Sequence, residues 1–411
     1  MEIKRCRLCG SSGFVVVLSL GNQHVSDFVG TEGESPRSPL ELVQCRDCQL
    51  VQLRHTFPRQ SLYLHYWYRS GISSTMKEAL RDVATKTCEV AKPSAGELVL
   101  DIGCNDGTLL RSYETRGLRL IGFEPAQNLV EDARKGTEYV FNDFFTAEAF
   151  REKFPTSNAK IVTSIAMFYD LDKPSDFVAD VVECLDTHGV WVVQQNYLCS
   201  MLEQNGFDNI GHEHLTYYSL KTMNQLLSRH DMEIFHVETN DVNGGSFRTY
   251  IARRGEFLVR DSVRKLHQYE TDLFSRKPSI YDMFAKNVQE IRIRLRSFID
   301  TEVKRERTVY VYGASTRGNT VLQYCELDHR VIMKAADANP EKWGLVTPGT
   351  GIPIVSKEEA RRDHPDYFII LPHHFLKEIT RDEEAYLNAD GRFIVPLPTP
   401  RIVTKYGTSD I

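Results

Sequence analysis

Four cysteines near the start of the chain fall into two pairs, Cys6-x-x-Cys9 and Cys45-x-x-Cys48. Two residues between thiols let a tight knuckle turn aim both sulfurs at one ion. Two knuckles complete the closed tetrahedral S₄ set of structural zinc. Incidental core cysteines are one competing reading; a redox dithiol, which needs only one such pair, is another. A second set surrounds the turn Val99-Leu-Asp101-Ile-Gly103-Cys-Asn105-Asp106-Gly107. Glycines at a strand-to-helix turn admit close approach of a ligand to the backbone. The turn departs from the Gly-x-Gly-x-x-Gly of dinucleotide loops. Its acids, Asp101 and Asp106, suit a cationic ligand better than a polyphosphate. Further on, Glu124 can accept both hydroxyls of a ribose, and Asp143, Phe144 and Phe145 offer an acceptor and aromatic faces to an adenine. Sulfonium, ribose and adenine together describe S-adenosylmethionine. Taken singly, Asp101 also reads as a helix cap, Glu124 as a surface acid, and the phenylalanines as core. The ordered set at consecutive strand ends favours the ligand.

The richest polar cluster is Asn209-Ile-Gly-His212-Glu213-His214-Leu-Thr-Tyr217-Tyr218-Ser219. It is not a His-Glu-x-x-His metal helix, because position 216 is Thr. A histidine beside a carboxylate is a ready general base near neutral pH, with surface loop histidines as the plain alternative. A fourth group is Tyr312-Gly313-Ala-Ser315-Thr316-Arg317-Gly318. Small residues and hydroxyls at a helix start (Gly313, Ser315, Thr316) fit a diphosphate, which Arg317 would pair bidentately. An ordinary α/β turn reads the same way.

These groups must be positioned by strands and helices that alternate. A helix is expected over 75–91, ended by Pro93 and Gly96. Apolar runs of strand length follow at 97–103, 118–123, 139–142, 161–167 and 190–194, with two late strands at 233–238 and 247–252 forming an antiparallel edge. Such alternation predicts a parallel sheet covered by helices on both faces. Long charged helices at 260–307 lead to a second α/β pattern, with strands at 308–313, 331–336, 367–371 and 392–395. The chain is therefore read as α/β in three parts: a zinc-binding module over 1–74, a doubly wound domain over 75–255, and linker helices with a second Rossmann-like domain over 256–411. With 411 residues, 41% hydrophobic and 26% charged, and a net charge of −6, it offers no basic face for nucleic acid. No run reaches membrane-spanning length, and the first residues lack a signal-peptide core. The five cysteines outside the zinc set, scattered among nine, fit a reducing cytoplasm.

Taken in order, these motifs resemble a known family over nearly the whole chain. They are the cysteine pairs, Tyr68-Arg-Ser70-Gly-Ile-Ser-Ser, the Asp101–Gly107 turn, Gly122-Phe-Glu-Pro125, Asp143-Phe-Phe145, Glu213-His214, Asn243-Gly-Gly-Ser-Phe-Arg248 and Tyr312-Gly-Ala-Ser-Thr-Arg-Gly318. The family is the S-adenosylmethionine-dependent C-methyltransferases of nucleotide-linked 4-keto deoxysugars. The resemblance implies a class I methyltransferase fold for the central domain and methylation at C3 of the sugar through an enolate. It implies His214 as the base, Glu213 as its orienting or sugar-binding neighbour, and Tyr68 reaching into the cleft. Tyr217, Tyr218, Asn243 and Arg248 become substrate contacts, and the last domain grips a dTDP- or GDP-type nucleotide. The enzyme is expected to be a monomer. Two departures stand out. Gly211 occupies a place where some members carry Tyr, and Tyr169 the place where some carry His. Tyr169 is a candidate donor to the keto oxygen, or an aromatic closing the cofactor pocket. O- or N-methylation, a zinc-ribbon adaptor without turnover, and a nicotinamide oxidoreductase are the other functional readings; the acidic first loop disfavours the last.

Overall fold

The computed structural model describes residues 1–26, 28 and 35–411. Strands β1 (Phe14–His24), β2 (Arg37–Cys45) and β3 (Val51–Leu53) form an antiparallel meander between and beyond the two cysteine knuckles. The central domain contributes β4 (Leu98–Ile102), β5 (Arg119–Phe123), β6 (Tyr139–Phe141), β7 (Ala159–Ile165) and β8 (Leu185–Asn196). After the short β9 (Thr216–Tyr217) come β10 (Met232–Asn240) and β11 (Ser246–Arg253). The central sheet runs β10-β11-β8-β7-β4-β5-β6, parallel except for β11. Its buried strands are near-continuous apolar runs, as a sheet covered on both faces requires.

The third sheet comprises β12 (Val309–Tyr312), β13 (Ala335–Asp337), β14 (Ile354–Ser356), β15 (Tyr367–Ile370), β16 (Arg392–Val395), β17 (Arg401–Thr404) and β18 (Gly407–Asp410). Its order is β14-β13-β12-β15-β16-β17-β18, with the last two strands antiparallel. Helices Asp261–Phe274 and Ile280–Lys304 join the two α/β domains. In the longer one, Phe284, Val288, Ile291, Leu295 and Ile299 are buried at three- and four-residue spacing, the stripe that docks a helix on a core.

Two strand expectations move. The strand expected at 331–336 shrinks to β13, because the amides of Val331 and Ile332 turn back onto the Asp328 carbonyl. The one expected at 161–167 ends at Ile165, where Ala166 adopts φ 54° and turns the chain aside. One pairing was not legible at all. The two-residue β9 leaves the central domain and adds itself to β3, so the metal module's sheet is β1-β2-β3-β9.

Candidate active site

Each knuckle closes with a left-handed residue directly after its second cysteine, Gly10 at φ 77° and Gln49 at φ 67°. The turns bring Cys6 and Cys48 sulfurs to 3.5 Å and Cys9 and Cys45 to 3.5 Å, with all four within 4.8 Å of one another. A tetrahedral ion with bonds of about 2.3 Å needs sulfurs about 3.8 Å apart, so the donor set fits zinc. The Leu8 amide and the buried Gln52 amide nitrogen donate to Cys6 Sγ, which favours its thiolate and orients it.

Strand β9 carries the module's order to the polar cluster. The Leu53 amide bonds the Leu215 carbonyl at 2.9 Å, and Thr216 Oγ1 donates to the Tyr169 carbonyl at 3.0 Å. His214 and Tyr169 are thus pinned together, rings 4.5 Å apart and edge-on. His214 Nδ1 lies 2.6 Å from the Asn209 carbonyl. A carbonyl only accepts, so Nδ1 carries the proton and Nε2 keeps its lone pair. Burial, helped by the Arg317 cation, pushes this imidazole down to about 4, so it is neutral at physiological pH. Burial pushes Glu213 up to about 7; the Tyr66 hydroxyl donates to its Oε2 at 3.2 Å and partly offsets that shift.

His214, Glu213, Tyr169 and Tyr68 all line one cavity of about 1170 Å³. That exceeds the usual span of about 300–1,000 Å³ for a single ligand site and leaves room for two reactants. Gly103, Asn105, Glu124, Asp143, Phe144 and Phe145 line the same cavity. Glu124 oxygens accept the Asn105 and Ala126 amides at 2.7 and 2.8 Å, and burial raises the carboxyl to about 7. The Arg59 guanidinium lies 4.2 Å from the Phe144 ring centre, a contact the sequence reading missed. Asn243, Ser315, Thr316 and Arg317 form the wall contributed from the far side.

Other expected site residues lie off this cavity. Asp101 is buried and accepts from Thr163 Oγ1 at 2.6 Å, so it braces β4 against β7. Asp106 accepts the Gly71 amide at 2.7 Å, while the Asn105 side chain bonds the Tyr68 carbonyl and the Ser70 amide. The acidic turn therefore holds the Tyr68 segment in place. Gly107 packs against Ala133, where a Cβ would sit 3.0 Å from its backbone. Gly313 closes onto Pro372, which a Cβ would meet at 2.7 Å, so the turn is filled by protein. Tyr217 donates to the Asn209 carbonyl, and Tyr218 packs on Phe168; both are buried structural aromatics and correct the expectation of substrate contacts. Arg248 is likewise corrected: it is buried among Gln194, Glu238 and Asp82. His212 bonds the Ser38 carbonyl of β2, away from the cavity.

Arg317 is also reassigned. Its Nε and one terminal nitrogen both bond Asp208 Oδ2, at 3.1 and 2.6 Å, and its other terminal nitrogen bonds the Asn243 carbonyl. The guanidinium is spent on joining the last domain to the central one, not held ready for a diphosphate. Asp208 is buried and held well below the usual carboxylate range despite that burial, by Arg317 and then His373. Arg317→Ala is expected to strip this buried carboxylate of its main partner, leaving only His373, and to cost about 3–5 kcal/mol, read as a lowered thermal midpoint. An unchanged midpoint would show that the pair is not what joins the domains.

Sequence comparison bears on this arrangement. Profiles described as "Putative zinc binding domain", "Methyltransferase domain" and "C-methyltransferase C-terminal domain" match residues 6–63, 72–237 and 241–398. The C-methyltransferase NovU of Streptomyces niveus is 31% identical over 413 residues, covering 99% of this chain and 98% of its own. Two solved methyltransferases give slighter likenesses. The plantazolicin methyltransferase BpumL, in complex with SAH, aligns with 13% identity and a TM-score of 0.34 over 43% of this chain and 82% of its own. An S-adenosylmethionine-dependent methyltransferase from Clostridium acetobutylicum gives 11% and 0.36 over 44% and 92%. Neither is close enough to argue from. The two expected cofactors, S-adenosylmethionine and structural zinc, accord with the methyltransferase-domain match and the four-thiol cluster. No helix among the described residues is long and apolar enough to cross a membrane. With nearly its whole length matched and its three parts in the same order, the chain belongs to the C-methyltransferase family.

Proposed function

We propose that the chain methylates C3 of a nucleotide-linked 4-keto deoxyhexose, with S-adenosylmethionine as donor. The observation that carries this reading is His214: its Nδ1 is committed to Asn209, and its basic nitrogen belongs to a residue on the cavity wall. A carbonyl at C4 acidifies the C3–H, and a fixed neutral imidazole is the group that removes such a proton. Glu124, Asp143, Phe144 and Phe145 would hold the ribose and adenine, and the cofactor supplies a methyl on positively charged sulfur. Tyr68 and Glu213 would bind the hexose beside His214. The match to a C-methyltransferase C-terminal domain supports carbon over oxygen or nitrogen as acceptor. The nucleotide, of dTDP or GDP type, would extend toward Asn243, Ser315 and Thr316, and the enzyme would act as a cytoplasmic monomer.

Incubation with nucleotide-linked 4-keto hexoses in deuterium oxide tests the reading. Loss of the C3 proton signal, followed by a C-methylated product once donor is added, is expected. Methylation on oxygen without exchange would refute it. Glu124→Gln should weaken S-adenosylmethionine binding about 10-fold by calorimetry, the worth of one hydrogen bond to a charged acceptor.

A further inference from the structure

One group on the cavity wall has no role so far. Asp170 follows Tyr169 and lines the cavity, and its Oδ1 is buried with no hydrogen-bond partner. Around it stand Glu213, Tyr63 and Tyr66, all on the same cavity. The Tyr63 hydroxyl donates to the Glu213 carbonyl at 3.1 Å, and the Tyr66 hydroxyl donates to the Glu213 carboxylate at 3.2 Å. A buried polar atom without a partner is rare in a native fold and calls for an explanation.

We propose that Asp170 hydrogen-bonds the carbonyl oxygen of the acceptor as charge develops there, with Tyr63 and Tyr66 completing a polar wall that selects an oxygen-rich acceptor. The proposal rests on the carbon-acceptor reading above. Burial first, and the neighbouring Glu213 second, raise the Asp170 carboxyl well above the usual carboxylate range, with the Tyr63 hydroxyl opposing the shift. In its acid form the group has an O–H to give. An apolar site that keeps an acid neutral so that it can donate is an established way to stabilise an enolate. The electrons balance. The C3–H bond breaks and its proton goes to His214 Nε2. The bonding pair becomes the C3=C4 bond, and the C4 oxygen takes the negative charge at Asp170. When C3 bonds the incoming methyl, the methyl–sulfur bond of the donor breaks with its electron pair staying on sulfur, the carbonyl re-forms, His214 holds the proton taken from C3 and Asp170 keeps its own.

The test is the rate of C3 deuterium exchange without donor, using a nucleotide-linked 4-keto hexose as probe. Asp170→Ala is expected to slow exchange about 10²–10³-fold, the usual loss for one such donor. Asp170→Asn, which still donates, should stay within about 10-fold of the parent. Tyr169→Phe should lose less than Asp170→Ala. The proposal is overturned if Asp170→Ala exchanges as fast as the parent, if Asp170→Asn is as slow as Asp170→Ala while melting normally, or if Tyr169→Phe is the slower variant. Absence of exchange in the parent enzyme would instead strike the underlying reading, and the proposal with it.

Discussion

His214→Gln is expected to lower kcat for methyl transfer about 10²–10⁴-fold, the usual worth of a positioned general base, with little change in S-adenosylmethionine affinity. The imidazole lines the cavity, and its Nδ1–H is fixed by a backbone carbonyl that no side-chain change removes. Glutamine keeps the polarity and most of the volume but has no basic nitrogen. The pH profile of the parent enzyme adds a second check. Burial lowers the imidazole from its ordinary 6.5 to about 4. The base form therefore persists as pH falls through the usual histidine range, and the acid limb of kcat/KM should lie well below 6.5. A limb centred at the ordinary imidazole value would mean that the ring is solvated in the working enzyme. Retention of more than a tenth of kcat in His214→Gln would remove the ring from the proton transfer.

Chelating the metal, or replacing Cys6 with Ser, is expected to abolish activity as well as to melt the N-terminal module. Small metal domains draw about 10–16 kcal/mol of apparent folding free energy from a structural zinc. Here the consequence travels further, because β3 is the partner of β9. Losing β3 frees the strand whose Thr216 holds the Tyr169 backbone, two residues after His214. It also releases Arg7, whose buried guanidinium bonds Asp172, Thr56 and the Leu53 carbonyl. Metal content, circular dichroism and turnover measured together provide the check. Full turnover by a protein verified as metal-free would show that the module is not what orders the His214 segment.

The motifs legible in the sequence were those whose chemistry is local. Two Cys-x-x-Cys knuckles close within a few residues each, and the structure places their four sulfurs within 4.8 Å. The alternation of strands and helices was legible for the same reason, since periodicity is written along the chain. Glu124, Asp143, Phe144 and Phe145, expected at successive strand ends, share a cavity because parallel strands present their C-terminal ends on one side. Less local were the partners of charged groups. Arg317 looked free for a phosphate until folding set it against Asp208, more than a hundred positions earlier in the chain. Arg248, Tyr217 and Tyr218 bore the right chemistry but face inward. Tyr63, the last residue of a short helix, and Tyr66, in the irregular segment after it, were visible as an aromatic stretch, yet nothing local aimed them at Glu213.

Residue identity and spacing alone thus determined a metal knuckle pair and two α/β units, and marked His214 and Glu213 as candidates for a polar site. Only the tertiary structure decided that β9 joins the metal module, that Arg317 bolts two domains together, and that one buried oxygen of Asp170, Oδ1, is left without a hydrogen-bond partner. The reason is physical. Propensity and turn chemistry act over a few residues. Burial and pairing, which set the charge state and availability of a side chain, depend on neighbours that only the folded chain supplies.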